Sequence, residues 1–157
     1  MNLAVLGEGS EHRVYLSNSR KHVMKLTLPG IFGDSYFLKD GRVNQRRCTP
    51  GDYLYRMRLL DSFSQHAPRP VGVTEQGQIV TLQKFIAGDP PTQAEADEFM
   101  ALELEPVRQS CFLWKMAAPD LGLEFWVGDA RDENFVKTPY GIIPIDLRMW
   151  TVPLRDE

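Results

Sequence analysis

The part of this 157-residue sequence that most restricts its fold is VGDARDENFVKTPYGIIPIDL, residues 127–147. A strongly polar run lies between two apolar segments, and a hairpin pattern follows that ends in another acid. An exposed loop does not require apolar flanks, and a structural turn does not require so many acids. The pattern therefore indicates a set of ligands held on a strand–turn–strand frame.

The first half of the chain is predicted to consist of strands and one helix. Three short strands are predicted over residues 2–6, 13–17 and 22–28, and the polar turn between the last two indicates an antiparallel meander. Residues 29–50 show no clear period and are predicted to be loop. Apolar residues at three-residue steps predict a helix from Gly51 that ends before Pro68. Two strands around a glycine turn are predicted next, over residues 71–85.

The second half is predicted to begin with a helix and continue with hairpins. Thr92 is the predicted N-cap of that helix, and Glu95 completes a capping box. Four further strands are predicted, over residues 110–116, 123–127, 134–138 and 142–147. The tripeptide PYG joins the last two in a hairpin. The outline is an α+β fold with a junction near residues 85–91, where glycine and proline cluster.

The composition argues against several classes of protein. A formal net charge of -3 argues against a dedicated nucleic-acid binder, which carries a basic excess. The basic residues 39–48 form either a solvated loop or a patch that binds a phosphate or a partner. Cys48 and Cys111 lack zinc-ligand spacing and suggest no disulfide framework. No signal peptide and no membrane span are recognised, so a cytoplasmic protein without a membrane partner is expected.

Two early segments carry features that phosphoryl transfer requires. In LGEGSEHRVYL, Gly7 and Gly9 would let backbone amides approach a phosphate without interference from a Cβ atom. A plain glycine turn is the alternative. Lys25 lies in an apolar strand pattern, where its ammonium either faces an anion or points outwards into solvent.

The third segment is the polar run itself. Asp129 and Asn134 lie five residues apart, with Arg131 between them, and Asp146 follows on the far strand of the next hairpin. Because a hairpin returns its second strand beside its first, Asp146 is expected near Asn134 while Asp129 faces the same space. One carboxylate and one amide suit Mg²⁺ beside a nucleotide phosphate. The other carboxylate is then free to orient a hydroxyl nucleophile.

The order of these segments resembles that of the protein kinases in a reduced form. LGEGSEHRV resembles the glycine-rich loop, VMK the strand of the nucleotide-binding lysine, and GDARDEN the catalytic loop. IDL stands at the place of the metal-binding Asp-Phe-Gly motif, and LQKFIAGD resembles the linker between lobes. The chain is similar, over roughly residues 3–149, to the small kinase-like domain of bacterial and phage polyvalent proteins.

The resemblance implies an α+β, two-lobe protein kinase-like fold. An antiparallel N-lobe sheet with one main helix would occupy about residues 1–85, a linker about residues 83–91, and a truncated C-lobe about residues 92–157. Only residues 147–157 follow Asp146, so an activation segment and the helices that bind a peptide substrate are expected to be missing.

The resemblance also implies how ATP and Mg²⁺ would be held. The implied nucleotide-binding residues are Gly7, Gly9 and Ser10 at the β- and γ-phosphates, Lys25 at the α- and β-phosphates, Val14 and Leu82 beside the adenine, Gln83 and Phe85 through their backbone groups, and Asp89 at the ribose. The helical acid that pairs with Lys25 would be Asp52, with Asp61 as the second choice. For Val14 and Leu82, ordinary core packing explains the residue types equally well.

The remaining implied roles belong to the polar run. Asp129 would be the base that orients the hydroxyl, and Arg131 would contact the γ-phosphate, while Asn134 and Asp146 would be the metal ligands.

Three functions remain open at this point. The first is an ATP-dependent phosphotransferase acting on a protein or a small hydroxyl compound. The second is a nucleotide-binding pseudokinase or interaction module without turnover, and the third is an accessory protein that binds no nucleotide.

The reduced C-terminal part carries one further expectation. A sheet and helix that normally pack against more chain would expose apolar surface around Trp126, Met149 and Trp150. Exposed apolar patches of this kind mark protein interaction sites. Self-association or binding to a partner domain is therefore predicted.

Overall fold

Antiparallel sheets dominate the structure. The computed structural model describes residues 3–40, 42–108 and 111–154, and 45% of these residues are in strands against 19% in helices. The chain divides into two compact units. Unit 1 comprises Met1–Asp34 and Arg47–Ala87, and unit 2 comprises Ser35–Arg46 and Gly88–Glu157.

The regular elements among the described residues are two α-helices, two single 3₁₀ turns and thirteen strands. Helix α1 is Pro50–Phe63 and helix α2 is Gln93–Met100, and the 3₁₀ turns are Pro119–Leu121 and Asp132–Asn134. The strands are β1 (Ala4–Glu8), β2 (His12–Leu16), β3 (His22–Thr27), β4 (Asp34–Lys39), β5 (Arg42–Arg47), β6 (Arg69–Val73), β7 (Ile79–Lys84), β8 (Glu105–Pro106), β9 (Trp114–Ala118), β10 (Leu123–Gly128), β11 (Phe135–Thr138), β12 (Gly141–Pro144) and β13 (Arg148–Pro153).

Unit 1 contains a five-stranded antiparallel sheet in the order β1-β2-β3-β7-β6, together with helix α1. The predicted meander of the first three strands is confirmed, as is the hairpin of β6 and β7. Gly77 lies in that hairpin turn with φ of 76°, a conformation that glycine adopts without steric cost. Helix α1 begins at a capping box in which Thr49 and Asp52 satisfy one another's backbone N–H groups.

One face of the unit 1 sheet is buried although much of it is polar. Lys25 on β3 lies opposite Thr81 on β7, and these two residues are 6% and 0% exposed. Gln83 on the same face donates from Nε2 to the backbone oxygen of His66 at 2.8 Å, whereas Oγ1 of Thr81 has no hydrogen-bond partner among the described residues. Hydrogen bonds as well as apolar contacts therefore stabilise this face of the sheet.

A buried ion pair joins the start of β2 to helix α1. The Glu11 carboxylate accepts a hydrogen bond from Nη2 of Arg56, and their side chains are 8% and 6% exposed. Nε2 of His12 lies 2.8 Å from the hydroxyl of Tyr53, and the Arg56 guanidinium lies 4.8 Å from the centre of the Tyr53 ring. A Cβ atom at Gly33 would lie 2.2 Å from Oε2 of Glu11, so the pair occupies space that only glycine leaves open.

Unit 2 is built on a four-stranded antiparallel sheet in the order β13-β10-β9-β8. Trp126 on β10 lies opposite Trp150 on β13, and both indoles belong to a buried apolar cluster with Leu113 and Val152. The hairpin of β4 and β5 packs on this cluster, and the ring of Tyr36 stacks on Trp150 with centroids 4.6 Å apart. The predicted β11–β12 hairpin and the Thr92 capping box of α2 are confirmed.

The prediction of an α+β, two-lobe protein kinase-like fold is wrong. The described residues form a small β-rich structure with two short α-helices. Residues 29–50, predicted to be loop, contain the β4–β5 hairpin, and the supposed truncated C-lobe contains the four-stranded sheet. The physical reason is the β10–β13 pairing, which buries two tryptophans on a sheet and draws residues 148–153 into a strand.

The expectation of exposed apolar surface around Trp126, Met149 and Trp150 is also wrong. These residues are 2%, 3% and 7% exposed, since β10 pairs with β9 on one side and β13 on the other and the β4–β5 hairpin packs on the indoles. Self-association stays a prediction, and these three side chains do not support it. Within the described ranges, neither α-helix is long and apolar enough to cross a bilayer.

The Glu11–Arg56 pair yields a test of stability. Either substitution removes the ion-pair partner of a buried charge, so Glu11→Leu or Arg56→Met alone is expected to lower the free energy of unfolding by about 3–5 kcal/mol. The double variant is expected to lose less than the sum of the two single losses. Urea unfolding measures all three values.

Arg13→Met, which removes an exposed arginine paired with Glu8, is the control and is expected to change stability less. Additive losses in the double variant would contradict this coupling.

Candidate functional site

Five polar residues of unit 2 lie at one end of its main sheet. We call them the turn cluster: Asp129, Arg131, Asn134, Asp146 and Arg148. All four catalytic and metal-binding residues predicted from the sequence belong to it, and Arg148 is an addition. Asn134 and Asp146 are partly exposed, so ions and small ligands can reach the cluster.

The pairing of β10 with β13 determines where the cluster begins. Gly128, the last residue of β10, lies opposite Arg148, the first residue of β13. Asp129 follows directly and has φ of 61°, a left-handed conformation that aspartate tolerates better than most residues. A Cβ atom at Gly128 would lie 2.9 Å from Cη2 of Trp150. The close packing of this backbone on the indole therefore fixes the point at which the chain leaves the sheet.

Asn134 connects the two ends of the polar run. Its Nδ2 donates to the backbone oxygen of Asp129 at 2.7 Å. Its own backbone oxygen accepts the N–H groups of Ile145 and Asp146, at 2.9 Å and 3.4 Å. The backbone of Asp146 is therefore held near Asn134, but Asp146 lies in a bend after β12 and not on that strand as predicted. With its amide nitrogen committed, Asn134 presents its Oδ1 atom as the end of the side chain that can bind a ligand.

Gln93, in the first turn of α2, holds the polar run from outside. Its Nε2 donates to the backbone oxygen of Ala130 at 2.9 Å, and its Oε1 accepts the N–H of Asp132 at 3.0 Å. The helix is in turn attached to β11, since the Glu95 carboxylate accepts from the ammonium of Lys137. One amide side chain thus replaces two backbone partners that the irregular turn lacks.

Two guanidinium groups flank the Asp129 carboxylate. Nε of Arg131 lies 3.4 Å from Oδ1, and Nε of Arg148 lies 3.5 Å from Oδ2. The Asp129 side chain is 26% exposed and that of Arg148 is 18% exposed, so solvent screens these attractions only in part. Arg131 also lies over the ring of Phe112, with 5.5 Å from its guanidinium carbon to the ring centre. The cluster therefore offers positive as well as negative groups to a ligand.

The cluster is not a pre-assembled metal cage. Among the described residues, no group of three or more His, Cys, Asp or Glu side chains could hold a metal ion. The oxygen-bearing side chains of Asn134 and Asp146 supply two donors of the type that Mg²⁺ prefers. Mg²⁺ in phosphate sites usually keeps several waters and takes one or two carboxylates together with the phosphate oxygens. These residues fit that mode of binding.

The predicted phosphate-covering residues lie in unit 1, at the hairpin of β1 and β2. Gly7 pairs with Val14, and the N–H of Gly9 donates to the backbone oxygen of His12 at 2.9 Å. Space is open where a Cβ atom would stand at Gly7 and at Gly9, and neither residue has positive φ. Packing and backbone conformation therefore do not require glycine at these positions. Ser10 lies in the bend between the strands.

Lys25 lies on the buried face of the unit 1 sheet, between Val14 on β2 and Thr81 on β7. Its predicted helical partner, Asp52, accepts the N–H and hydroxyl of Thr49 in the capping box, at 2.9 Å each. The second choice, Asp61, accepts from Nε of Arg69 at 2.9 Å. Asp52 thus has a structural role in starting the helix that the sequence analysis did not assign to it.

The predicted adenine-binding residues do not share one face. Leu82 lies opposite Met24, and because side chains alternate along a strand, it points away from the face that carries Lys25. Gln83 lies on the Lys25 face. The N–H of Phe85 donates to the backbone oxygen of Lys21 at 2.9 Å. In unit 2, the backbone oxygen of Asp89 accepts the N–H of Lys137 at 2.8 Å in an isolated bridge.

Sequence reasoning missed Gln93 and Arg148. Arg148 follows directly after Leu147, and knowledge that residues 148–153 form a strand beside β10 would have placed it at Asp129. Gln93 carries no comparable signal, because a glutamine after an N-cap is ordinary and its partners are backbone atoms 37 and 39 residues away.

Comparison of the chain with protein-family models, with curated proteins and with solved structures finds no match. The kinase resemblance of the motifs therefore stays a prediction, and the function must be argued from the geometry of the described residues.

The Glu95–Lys137 contact gives a pH prediction. Hydrogen bonds from Lys137 and then from Thr92 lower the pKa of Glu95 from 4.5 to about 2. Because the folded pKa lies below the unfolded one, the stabilisation is present above about pH 4.5 and is lost as the pH falls towards 2. NMR titration of the Glu95 side chain should give a midpoint near 2, which rises towards 4.5 in Lys137→Met. The control, Lys39→Met, should leave it unchanged. An equal midpoint in both variants would refute this cause.

Proposed function

We propose that the protein binds Mg²⁺ together with the phosphate groups of a nucleotide such as ATP, at the turn cluster of unit 2. The observation that carries this proposal is the position of Asn134. Its side-chain amide nitrogen donates to the backbone oxygen of Asp129, and its backbone oxygen accepts the N–H of Asp146. Two oxygen-bearing side chains are thereby carried by two backbone segments that are hydrogen-bonded to each other, and both residues are partly exposed.

The charges around these donors support a phosphate ligand. Arg131 and Arg148 lie on either side of Asp129, and a guanidinium group is suited to the planar, two-point recognition of phosphate oxygens. Bound Mg²⁺ would neutralise part of the phosphate charge, and Asn134 and Asp146 would hold it. The contacts of Gln93 with the polar run would limit the movement of the cluster when a ligand enters or leaves.

Transfer of the γ-phosphate to a hydroxyl group, with Asp129 as the base, is the stronger form of the proposal. The acceptor would be a protein or a small molecule, and the expected location is the cytoplasm. Binding without transfer is the second candidate. It is favoured by the contacts of both Asp129 oxygens with guanidinium groups, because oxygens that contact Arg131 and Arg148 leave less room for the approach of a substrate hydroxyl.

Binding is tested with a non-hydrolysable ATP analogue in the presence and absence of Mg²⁺, by isothermal titration calorimetry. Asp146→Asn removes one charge from a proposed ligand and keeps its size, so the Mg²⁺-dependent affinity is expected to fall at least about tenfold. Glu133→Gln is the matched control, because it removes the same charge from a side chain in the same segment that is 71% exposed and is not a proposed ligand.

The outcome that contradicts the binding proposal is equally direct. If Asp146→Asn and Glu133→Gln bind the Mg²⁺ complex alike, or if Mg²⁺ has no effect on affinity in the unaltered protein, then the turn cluster is not a metal–phosphate site. Manganese-induced broadening of the Asn134 side-chain amide signals in NMR spectra gives an independent measurement of the same contact.

The transfer reaction is tested by Asp129→Asn. Removal of a positioned base lowers the rate by about 10²–10⁴-fold, whereas affinity for the Mg²⁺–nucleotide complex is expected to change little because Asp129 is not a proposed metal ligand. Release of labelled phosphate and labelling of hydroxyl compounds or proteins measure the rate. Equal rates in the variant and the unaltered protein would exclude Asp129 as the base, and absence of turnover in both would favour the second candidate.

A further inference from the structure

A concave pocket with a volume of about 760 Å³ lies in unit 1. It is formed by the turn between β2 and β3, the segment between α1 and β6, and the end of β7. Pockets that hold small organic ligands typically measure about 300–1,000 Å³. Its size therefore fits a small molecule better than an extended chain.

Part of the pocket is apolar and open to solvent. Leu82 on β7 and Val71 on β6 both line it, and they are 38% and 59% exposed. Register places Leu82 opposite Met24 on one side and Arg69 on the other, on the sheet face that points away from Lys25. A ligand with an apolar group would remove the Leu82 and Val71 side chains from water.

The pocket is also strongly cationic. Four basic side chains line it, Arg20, Lys21, Arg69 and Lys84, and no carboxylate does. Arg69 is paired with Asp61. Within the part of the chain that the structure describes, the other three form no salt bridge with a carboxylate. This concentration of positive charge stands out in a protein whose formal net charge is -3.

Backbone pairing brings these cations together. The backbone oxygen of Lys21 accepts the N–H of Phe85 at 2.9 Å, which places the β2–β3 turn beside the end of β7. His22, the next residue along, lies directly opposite Lys84. Arg20, Lys21 and Lys84 therefore line the same pocket, and a bound anion with more than one negative charge would lower the repulsion between their positive charges.

We propose that this pocket binds a small organic phosphate. The phosphate group would lie against Arg20, Lys21 and Lys84, and its apolar or aromatic group would lie over Leu82. This pocket shares no residue with the turn cluster, and binding of a phosphate to it does not need Mg²⁺. The fit of a doubly charged group to three cations favours a phosphate ester over a simple carboxylate.

The test uses phenyl phosphate as the probe, in EDTA, with NMR chemical-shift titration of the whole protein. Signals of residues 20–22 and 82–85 are expected to shift. The double variant Arg20→Gln/Lys84→Gln is expected to bind phenyl phosphate at least about tenfold more weakly, because each substitution removes a hydrogen bond between a charged side chain and the phosphate. Lys39→Gln, an exposed lysine outside the pocket, is the control and is expected to bind normally.

Two further variants separate the contribution of the apolar group from that of the phosphate, and binding at this pocket from binding at the turn cluster. Leu82→Ser should weaken binding of phenyl phosphate and leave binding of inorganic phosphate unchanged, because only the former has an apolar group. Asp146→Asn should leave phenyl phosphate binding unchanged, so failure of the metal–nucleotide proposal and failure of this one are distinguishable. The proposal is overturned if the double variant binds as well as Lys39→Gln, or if only an acidic peptide or an oligonucleotide shifts these signals.

Discussion

The antiparallel pairing of β10 with β13 is the contact on which unit 2 depends. It places Trp126 against Trp150 in the apolar cluster, and at the end of the same ladder it places Gly128 opposite Arg148. Burial of the indoles stabilises the pairing, since aromatic side chains remove a large apolar area from water. The position of Arg148 beside Asp129 is then a consequence of register. A slip by one residue would move both the core and the charge to the other face.

In unit 1 the corresponding constraint is electrostatic. Glu11 and Arg56 are both buried, and their pairing offsets part of the cost of removing the two charges from water. The pair ties the segment after Gly9 to helix α1, while Gly9 itself is held by His12. The residues predicted to cover phosphates are therefore part of an ordered hairpin. A ligand that bound to their backbone N–H groups would have to fit the geometry of this hairpin or break the Gly9–His12 hydrogen bond.

Local features of the chain could be predicted from the sequence because they depend on near neighbours. The Thr92 capping box, the β11–β12 hairpin and the approach of Asp146 to Asn134 all follow from short spacings. The overall fold could not be predicted in this way. The pairing of β13 with β10 joins segments about twenty-five residues apart, and the strands of residues 34–47 show no alternation clear enough to be recognised. Tertiary packing determined both the β10–β13 pairing and the strands of residues 34–47, and the motif resemblance indicated neither of them.

The unit 1 sheet also shows why a list of motif residues does not amount to one binding site. Lys25 and Leu82 were assigned to the same nucleotide, yet Lys25 lies opposite Thr81 and Leu82 lies opposite Met24. Because side chains alternate with period two, these pairs occupy opposite faces of the sheet. Lys25 is buried and Leu82 is exposed in a cationic pocket. Substitutions at the two positions therefore act on different environments, and loss of one binding activity does not predict loss of the other.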